Sequence, residues 1–306
     1  MEQVLQNPSI ESGGIESARS DWRTQLRDYY ELAKPGIGFY AVISTFTSFW
    51  LASPAQVDYV LLIHTLLATA LVTAGGGALN QVMEVEQDKA MRRTENRPLP
   101  SGRVSVNVGI IYGLLFSIVG VVYTQVAVNT LCAVLAIATL IGYLAIYTPL
   151  KKKSHLSTII GAFPGAIPIL IGWAAVKGSV DMAGWVLFTI LFFWQIPHFL
   201  AIAWMYRKDY ARAGFPMLSV LDDDGLSVAT QAVLYVVCMV PVSMLLTMIN
   251  VTGWVYFWGA LILGLGFIAS GVMCAIRRTN TSAKQLLFAS ILYLPLLLAL
   301  MVLDKR

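Results

Sequence analysis

Apolar residues along this chain are gathered into long runs that are separated by short polar segments. Runs of about 20 apolar residues are long enough to cross the hydrocarbon core of a bilayer as α-helices. The pattern predicts nine spanning helices, at residues 36–54, 58–82, 106–124, 128–147, 157–176, 182–205, 228–249, 251–276 and 285–303. We therefore expect an all-α integral membrane protein with a single nine-helix domain at residues 29–306, preceded by a mobile tail at residues 1–28.

The composition agrees with a membrane protein and narrows its partners. Of the 306 residues, 57% are hydrophobic and only 12% are charged, whereas a soluble domain carries about 25% charged residues. The sequence contains no soluble domain with a stripe of Lys and Arg residues, which argues against a nucleic-acid partner. The partner that this composition requires is the lipid bilayer.

The positive charges predict how the chain crosses the membrane. Of the 21 Lys and Arg residues, all but Lys177, Lys305 and Arg306 lie in the N-terminal segment or in the loops after predicted helices 2, 4, 6 and 8. Loops rich in Lys and Arg stay in the cytoplasm. We therefore expect a protein of the cell (inner) membrane whose N-terminus and active-site loops are cytoplasmic and whose C-terminus is outside.

One polar stretch at the end of the second run has the spacing of a binding face. Asn80, Glu84, Asp88 and Arg92 recur every four residues, and on a helix that spacing drifts by only about 40° per step, so all four are predicted to share one face. Amide and carboxylate oxygens in this arrangement suit a hard cation such as Mg²⁺ together with phosphate oxygens. The arginines that follow suit a diphosphate.

The glycine triplet at residues 75–77, just before this stretch, weakens a helix interior. Close approach of a neighbouring helix or of a ligand would justify it, and a flexible helix end is the alternative.

Two further polar features are predicted on the same side. Lys151, Lys152 and Lys153 follow the fourth run, as an anchor for lipid headgroups or as a clamp on phosphate. The sixth run contains His198, which should face the bundle interior because a polar side chain is unfavourable in lipid. Three interpretations of His198 stay open: a proton shuttle, a contact to a ligand, or a histidine bonded to a carbonyl freed by Pro197.

Carboxylates and arginines at the mouth of an apolar chamber suit the departure of diphosphate from a lipid. Metal ions and cationic side chains stabilise the charge that builds on the leaving oxygens. The alternative from another class of protein is a transporter of lipids or metabolites that is anchored by a charged helix end.

The motifs resemble those of a known family. Asn80-x-x-x-Glu84-x-x-x-Asp88, continued by Arg93-Thr94-x-x-Arg97-Pro98, resembles the first acidic motif of the UbiA superfamily of intramembrane prenyltransferases. Further similar blocks are residues 29–35, 147–151, 161–173, 197–199 and 207–218. The narrower resemblance is to the branch that farnesylates haem, the protoheme IX farnesyltransferases.

The resemblance implies nine helices around a central cavity, dependence on Mg²⁺, and transfer of farnesyl from farnesyl diphosphate to a vinyl group of haem B, which gives haem O. A downstream haem-modifying enzyme is a conceivable partner. An aromatic or quinone precursor is the alternative acceptor. Two departures stand out: Glu84 replaces the usual Asp, and Ala213 interrupts the second acidic motif that starts at Asp209, which leaves the ligands of a second metal open.

The resemblance also assigns roles to residues. Asn80, Glu84, Asp88 and Asp209 are expected to hold Mg²⁺ and so to form the catalytic set. Diphosphate is expected to bind Arg93, Arg97, Lys152 and Lys208, with Arg92 and Lys151 as weaker candidates. His198 is the candidate contact to haem.

Overall fold

The structure, a computed structural model, describes residues 22–306. Residues 22–28 of the expected tail form the start of a helix, and the rest of that tail lies outside the described residues. The helices are α1 (Trp22–Leu32), α2 (Pro35–Ala52), α3 (Tyr59–Met83), α4 (Val85–Ala90), α5 (Val106–Ala127), α6 (Thr130–Leu140), α7 (Thr148–Lys151), α8 (Ser157–Lys177), α9 (Met182–Met205), α10 (Arg207–Arg212), α11 (Leu218–Leu221), α12 (Leu226–Met248), α13 (Trp254–Arg277) and α14 (Asn280–Leu303).

The all-α membrane fold that hydropathy predicts is confirmed. In the described part of the chain, eight helices are long and apolar enough to cross a membrane: α3, α5, Thr130–Lys151 as one span, α8, α9, α12, α13 and α14. Helix α2, the counterpart of the first predicted span, has 18 residues but is not among the eight. Its hydroxyl side chains lower its hydropathy: Ser44, Thr45, Thr47 and Ser48 each donate to a backbone carbonyl of the same helix.

The centre of the bundle is formed by α8 and α9, of which 61% and 67% of the spanning window is buried. Small residues allow their close packing: a Cβ on Gly172 of α8 would collide with the Thr45 carbonyl of α2, and one on Gly165 would collide with Gln195 of α9. The hydroxyl of Thr45 also donates to the Pro168 carbonyl at 2.9 Å. Short-range packing of this kind is what the glycines of α8 make possible.

The glycine triplet of α3 lets three neighbouring segments approach the helix backbone closely. A Cβ on Gly75 would meet the backbone of Ser117 in α5, and one on Gly76 would lie 3.2 Å from Leu140 of α6. One on Gly77 would lie 3.2 Å from the Ala33 carbonyl and 3.4 Å from the Cβ of Lys34. The third glycine therefore lets the turn between α1 and α2 lie directly on α3.

The segments that connect α3 to α5, α7 to α8, α9 to α12 and α13 to α14 meet the α1–α2 turn at one end of the bundle, which we call the charged end. The ion pairs Lys151–Glu84, Arg103–Asp28 and Arg278–Asp224 connect these segments. The other end is closed by the last residues of the described chain. There Lys305 Nζ donates to the carbonyls of Trp50 and Ser53 at 2.7 and 2.6 Å, and Asp304 accepts from the Tyr256 N–H at 2.6 Å.

Candidate active site

Asn80, Glu84 and Asp88 lie on successive turns, as their spacing predicts. The Glu84 N–H donates to the Asn80 carbonyl at 3.1 Å and the Asp88 N–H to the Glu84 carbonyl at 2.8 Å. The helix is nevertheless interrupted at Glu84, where φ is −111° and ψ is 11°, and it resumes as α4. All three side chains are buried, although each carries a polar or charged group.

The prediction that Arg92 continues this face is wrong. Helix α4 ends at Ala90, and Arg92 lies exposed in the turn that follows. The chain turns here because the hydroxyl of Thr94 donates to the Asp88 carbonyl at 2.9 Å and caps it in place of a further helical turn.

Each member of the acidic face is bound by a cation from a different segment. Lys34 Nζ donates to the Asn80 side-chain oxygen. Lys151 Nζ lies 3.1 Å from both carboxylate oxygens of Glu84, and Arg97 donates to Asp88 at 2.8 Å. Because a buried charge is tolerated only when it is paired, these cations permit the burial of the acids.

Lys34 is a site residue that the sequence reasoning missed. It adopts a left-handed backbone with φ 52° and ψ 61° directly before Pro35, an uncommon conformation for a residue with a side chain. Burial lowers its pKa to about 7, and Arg97 adds to that effect while Glu84 and Asp88 oppose it. The sequence offered two signals: Lys34 is a single cation immediately before the first apolar run, and it lies in the block at residues 29–35 that resembles the family.

A cavity of about 280 Å³ opens onto this cluster and is lined by Glu31, Lys34, Pro35, Gly36, Ile37 and Arg97. Two of the three cations that bind the acidic face therefore also line a cavity. A Cβ on Gly36 would meet open space, so the wall of the cavity is free of packing there. An anion that enters this cavity meets the Arg97 guanidinium and the Lys34 amine, which gains its proton near neutral pH, beside the Glu31 carboxylate.

A π-helical segment connects α6 to α7 and places polar groups on the cluster. It spans Ile141–Tyr147, and π-helical turns are rare and frequently lie at functional sites. The rings of Tyr143 and Tyr147 stack at 5.6 Å with an interplanar angle of 10°. The Asn80 amide donates to the Thr148 hydroxyl at 2.8 Å, and Lys34 Nζ lies 3.4 Å from the Tyr143 hydroxyl.

Helix α10 reaches the cluster through an aromatic side chain. The Tyr210 hydroxyl accepts from Arg93 at 3.3 Å, and the Arg93 guanidinium stacks over the ring of Tyr206 at 4.8 Å. Lys151 lies 4.5 Å from the centre of the Phe215 ring. Asp209 itself is buried and pairs with Arg212 of its own helix.

The predicted diphosphate residues differ in how close they come to the acidic face. Arg97 is bound to Asp88 of this face, whereas Arg93 donates to the nearby Tyr210 hydroxyl. Lys151, the weaker candidate, is bound to Glu84, whereas Lys152 is exposed and donates to the Met83 carbonyl at 3.0 Å. Lys208 is exposed on α10.

His198 lies deeper, between α9 and α14. Its Nδ1 is 2.8 Å from the Ser290 hydroxyl, and its ring stacks on Trp194 at 5.1 Å. The partner of His198 is thus a side chain and not a carbonyl freed by Pro197. The ring of Trp194 in turn lies 5.6 Å from that of Tyr40 in α2.

Within residues 22–306, no three His, Cys, Asp or Glu side chains are grouped so that they could hold a metal ion. The oxygen donors are present as two buried carboxylates and one buried amide on successive turns, each bound by a cation. Hard oxygen donors of this type fit Mg²⁺.

Comparison with known proteins identifies the family of this helical bundle. The family described as the UbiA prenyltransferase family matches residues 41–293. The chain belongs to the UbiA prenyltransferase family. It is therefore an integral membrane enzyme that transfers prenyl groups.

Curated relatives of this UbiA family member extend over nearly its whole length. The protoheme IX farnesyltransferase of Solibacter usitatus is 45% identical over 289 residues, which cover 92% of this chain and 99% of that protein. The protoheme IX farnesyltransferase of Salinibacter ruber is 43% identical over 279 residues, which cover 91% and 99%.

Solved structures have the same fold at low identity. A digeranylgeranylglyceryl phosphate synthase is similar with a TM-score of 0.76 and 18% identity, over 92% of this chain and 98% of that one. A UbiA homolog from Archaeoglobus fulgidus bound to GPP and Mg²⁺ is similar with a TM-score of 0.64 and 14% identity, over 90% and 99%.

Proposed function

We propose that this enzyme transfers the farnesyl group of farnesyl diphosphate to a vinyl group of haem B, giving haem O and diphosphate. The observation that supports this proposal best is the cluster at the charged end, where Asn80, Glu84 and Asp88 are each bound by a Lys or Arg group beside a cavity. The protoheme IX farnesyltransferases that resemble the chain over nearly its full length support haem B as the acceptor.

The reaction breaks the bond between C1 of farnesyl and its diphosphate oxygen, and forms a bond from C1 to the terminal carbon of the vinyl group. The inner vinyl carbon then takes a hydroxyl from water, which releases a proton. The electron pair of the broken bond leaves with diphosphate. The protein must therefore stabilise negative charge on the leaving group and positive charge on the prenyl chain.

Lys34 and Arg97 stabilise the leaving diphosphate, since both line the cavity of about 280 Å³. Arg93 adds a second guanidinium from the facing side, where Tyr206 and Tyr210 position it. Lys151 completes the set from the end of α7, while Lys152 and Lys208 act at the rim. Bound guanidinium and ammonium groups are strong partners of phosphate oxygens.

Asn80, Glu84 and Asp88 would hold Mg²⁺ beside the diphosphate, and Asp209 would contribute from α10. When bound, Mg²⁺ supplies Lewis-acid stabilisation of the departing phosphate oxygens. A bound diphosphate would give Lys34, Lys151 and Arg97 an anionic partner in place of the Asn80, Glu84 and Asp88 oxygens that they bind here. UbiA homologs solved with prenyl diphosphates and Mg²⁺ support a metal requirement.

The stacked rings of Tyr143 and Tyr147 lie beside Lys34 and Asn80. The face of an aromatic ring attracts cations, so these rings stabilise the allylic cation as diphosphate departs. The prenyl chain follows in the apolar interior of the bundle, which excludes water until the cation has reacted.

The charged end faces the cytoplasm in this proposal, with the C-terminus outside, because nearly all Lys and Arg residues lie in the segments at the charged end. The product leaves within the bilayer, towards an enzyme that modifies haem O further.

The test combines purified protein with farnesyl diphosphate, Mg²⁺ and an equal mixture of haem B and a quinone precursor. We expect mass spectrometry to detect haem O, with haem B consumed and the quinone precursor unchanged. Prenylation of the quinone precursor instead would overturn the acceptor. A sealed-vesicle assay that shows lipid movement without any covalent product would support the transporter and overturn the enzyme.

A further inference from the structure

Gln195 of α9 is a buried polar side chain to which the proposed reaction gives no role. It is 5% exposed and lies within a helix that is long and apolar enough to cross a membrane. Its Nε2 donates to the Ala162 carbonyl of α8 at 3.4 Å and to the Leu191 carbonyl of its own helix at 3.2 Å. Two carbonyl oxygens on one side of the amide require the NH₂ group there, and this fixes the direction of Oε1.

The Gln195 oxygen has no donor and borders open space. In the described part of the chain, no N–H or O–H group donates to Oε1. It is not one of the polar atoms that, like Gln81 Oε1, are sealed inside the protein without a partner. Gly165, against which Oε1 lies, is exposed although Pro164 and Ala166 on either side of it are buried. The amide thus joins α8 to α9 through its nitrogen and leaves its oxygen available to a ligand.

This oxygen lies close to the rings that stabilise the allylic cation in the proposed reaction. Gly161 and Gly165 of α8 are one helical turn apart on the same face, a separation of about 6 Å. A Cβ on Gly161 would collide with the ring of Tyr147, and a Cβ on Gly165 would collide with Oε1 of Gln195. Tyr147 stacks on Tyr143 beside the acidic face. Oε1 therefore lies about one turn deeper in the bundle than the stacked rings.

A hydrogen-bond acceptor at this depth meets a requirement of the proposed reaction. The apolar interior must exclude water from the allylic cation, and the inner vinyl carbon must then receive a hydroxyl from water. An amide oxygen in an apolar interior binds a water molecule, because leaving the oxygen unpaired costs free energy. We propose that Gln195 binds the water molecule that hydroxylates the inner vinyl carbon. The inference rests on the proposed function, which supplies the vinyl cation.

In this step, the water oxygen donates a lone pair to the inner vinyl carbon, which became a cation when its neighbour bonded to C1 of farnesyl. A carbon–oxygen bond forms and one O–H bond of water breaks. The proton passes to diphosphate, the base that the same reaction releases, because a neutral amide is too weak a base to keep it. Oε1 of Gln195 accepts a hydrogen bond from the other O–H and so directs the lone pair towards the carbon. The helical turn between Oε1 and the stacked rings keeps this water away from the allylic cation.

The test identifies the products that the purified enzyme forms from farnesyl diphosphate and haem B in isotopically labelled water. The parent should give haem O with the labelled oxygen. Without a bound water, the vinyl cation instead loses a proton from the neighbouring carbon, and the product is lighter by one water. Gln195→Met, which keeps the length of the side chain, should raise the ratio of this dehydrated product to haem O by about 10-fold, the effect of losing one buried hydrogen bond. Haem O added to a parallel sample measures any later loss of water.

Two further variants separate the role of the oxygen from helix packing. Thr45→Val is the matched control, because the Thr45 hydroxyl donates to the Pro168 carbonyl at 2.9 Å and is likewise a polar contact to α8. It should leave the product ratio at the parent value. Gly165→Ala keeps Gln195 but places a Cβ where Oε1 now lies, so it should raise the ratio as Gln195→Met does. If Gln195→Met does not fold, Gly165→Ala provides the comparison.

The product ratio also separates this inference from the proposed function. A parent ratio in both Gln195→Met and Gly165→Ala would overturn the water site and leave the reaction standing. An equal rise in Thr45→Val would also overturn it, because altered packing of α8 would then be the cause. A parent protein that forms no prenylated haem would refute the reaction and, with it, the need for this water.

Discussion

The two ends of the bundle bury the same kinds of charge in different ways. At the charged end, Lys34, Lys151 and Arg97 are bound to the side chains of Asn80, Glu84 and Asp88. At the opposite end, Lys305 is bound to two backbone carbonyls and Asp304 to a backbone N–H. A side-chain partner can rotate away when another ligand arrives, whereas a backbone carbonyl at a helix end is fixed by the fold.

The kind of partner therefore distinguishes a cation that can exchange its contact for a ligand from a cation that only stabilises the fold. The cations at the charged end have partners that a metal ion could take over, so they remain available to an anionic substrate. Lys305 has partners that no ligand can replace, so its contribution is to stability alone. Four substitutions test this comparison, beginning with the largest expected effect.

Asp88→Asn should lower haem O formation by about 100-fold or more, because it removes one of the three buried carboxylates that would hold the metal. The side chain keeps its shape, so membrane insertion and thermal stability should change little. Product mass spectrometry with purified variant measures the loss. Glu86→Gln, an exposed carboxylate two residues away that pairs with Lys89, is the matched control. Normal turnover of Asp88→Asn would remove it from the site.

Lys34→Met should raise the KM for farnesyl diphosphate about 10-fold or more, since a charge-assisted bond to phosphate is lost. The KM for haem should not change. Steady-state kinetics in which each substrate is varied in turn gives both values. Lys89→Met, which removes an exposed lysine, serves for comparison. An equal change in both KM values would mean that Lys34 acts through the general structure of this end.

Lys305→Met should lower the free energy of unfolding by about 1–3 kcal/mol, because two carbonyls at the end of α2 lose a charged donor. Turnover of the folded enzyme should stay at the parent level. Thermal unfolding in detergent and haem O formation below the transition give the two quantities. Lys177→Met, whose ammonium stacks over Trp173 at 5.9 Å, is a control at the same end. A selective rise in the KM for farnesyl diphosphate would contradict the contrast between the ends.

Glu84→Asp should have the smallest effect, a change in activity of a few-fold at a shifted Mg²⁺ optimum. The shorter side chain retreats from Lys151, which now contacts both carboxylate oxygens, but the residue remains an acid. Titration of activity with Mg²⁺ measures the shift. An activity as low as that of Asp88→Asn would show that the length of Glu84 is essential to the arrangement of the site.

The helices of this bundle were predictable because lipid imposes a simple rule on the chain. A helix that crosses the membrane must be apolar along its length, and α9 occupies residues 182–205 as predicted. The first predicted span is the exception among the nine, because hydroxyls in α2 bond to its own backbone and make a moderately polar helix tolerable. The last span begins earlier than predicted, since Thr279 and Ser282 form a capping box ahead of the apolar run.

The site was predictable only where its residues are close in sequence. The spacing of Asn80, Glu84 and Asp88 is a local pattern, and the structure keeps it. Lys34 and Lys151 reach these residues across 46 and 67 positions, a distance that periodicity in one sequence does not encode. The exposure of Arg92 was missed for a different reason, because a single hydroxyl bond from Thr94 ends the helix early.

The π-helical segment Ile141–Tyr147 separates the membrane span into two halves with independent rotational phase. A residue added to or removed from an α-helix turns everything beyond it by about 100°, and the wider π turn absorbs such an insertion locally. The half towards the opposite end can therefore keep the phase that suits lipid, while Thr148 and Lys151 keep the phase that suits Asn80 and Glu84. Deleting one residue within the segment should therefore restore a regular α-helix and leave Thr148 and Lys151 on the side of the acidic face, whereas deleting one residue from α6 should rotate both side chains away from it. The π-helical segment thus adjusts the rotation of the helix between the half that lies in the membrane and the half that contacts the charged cluster.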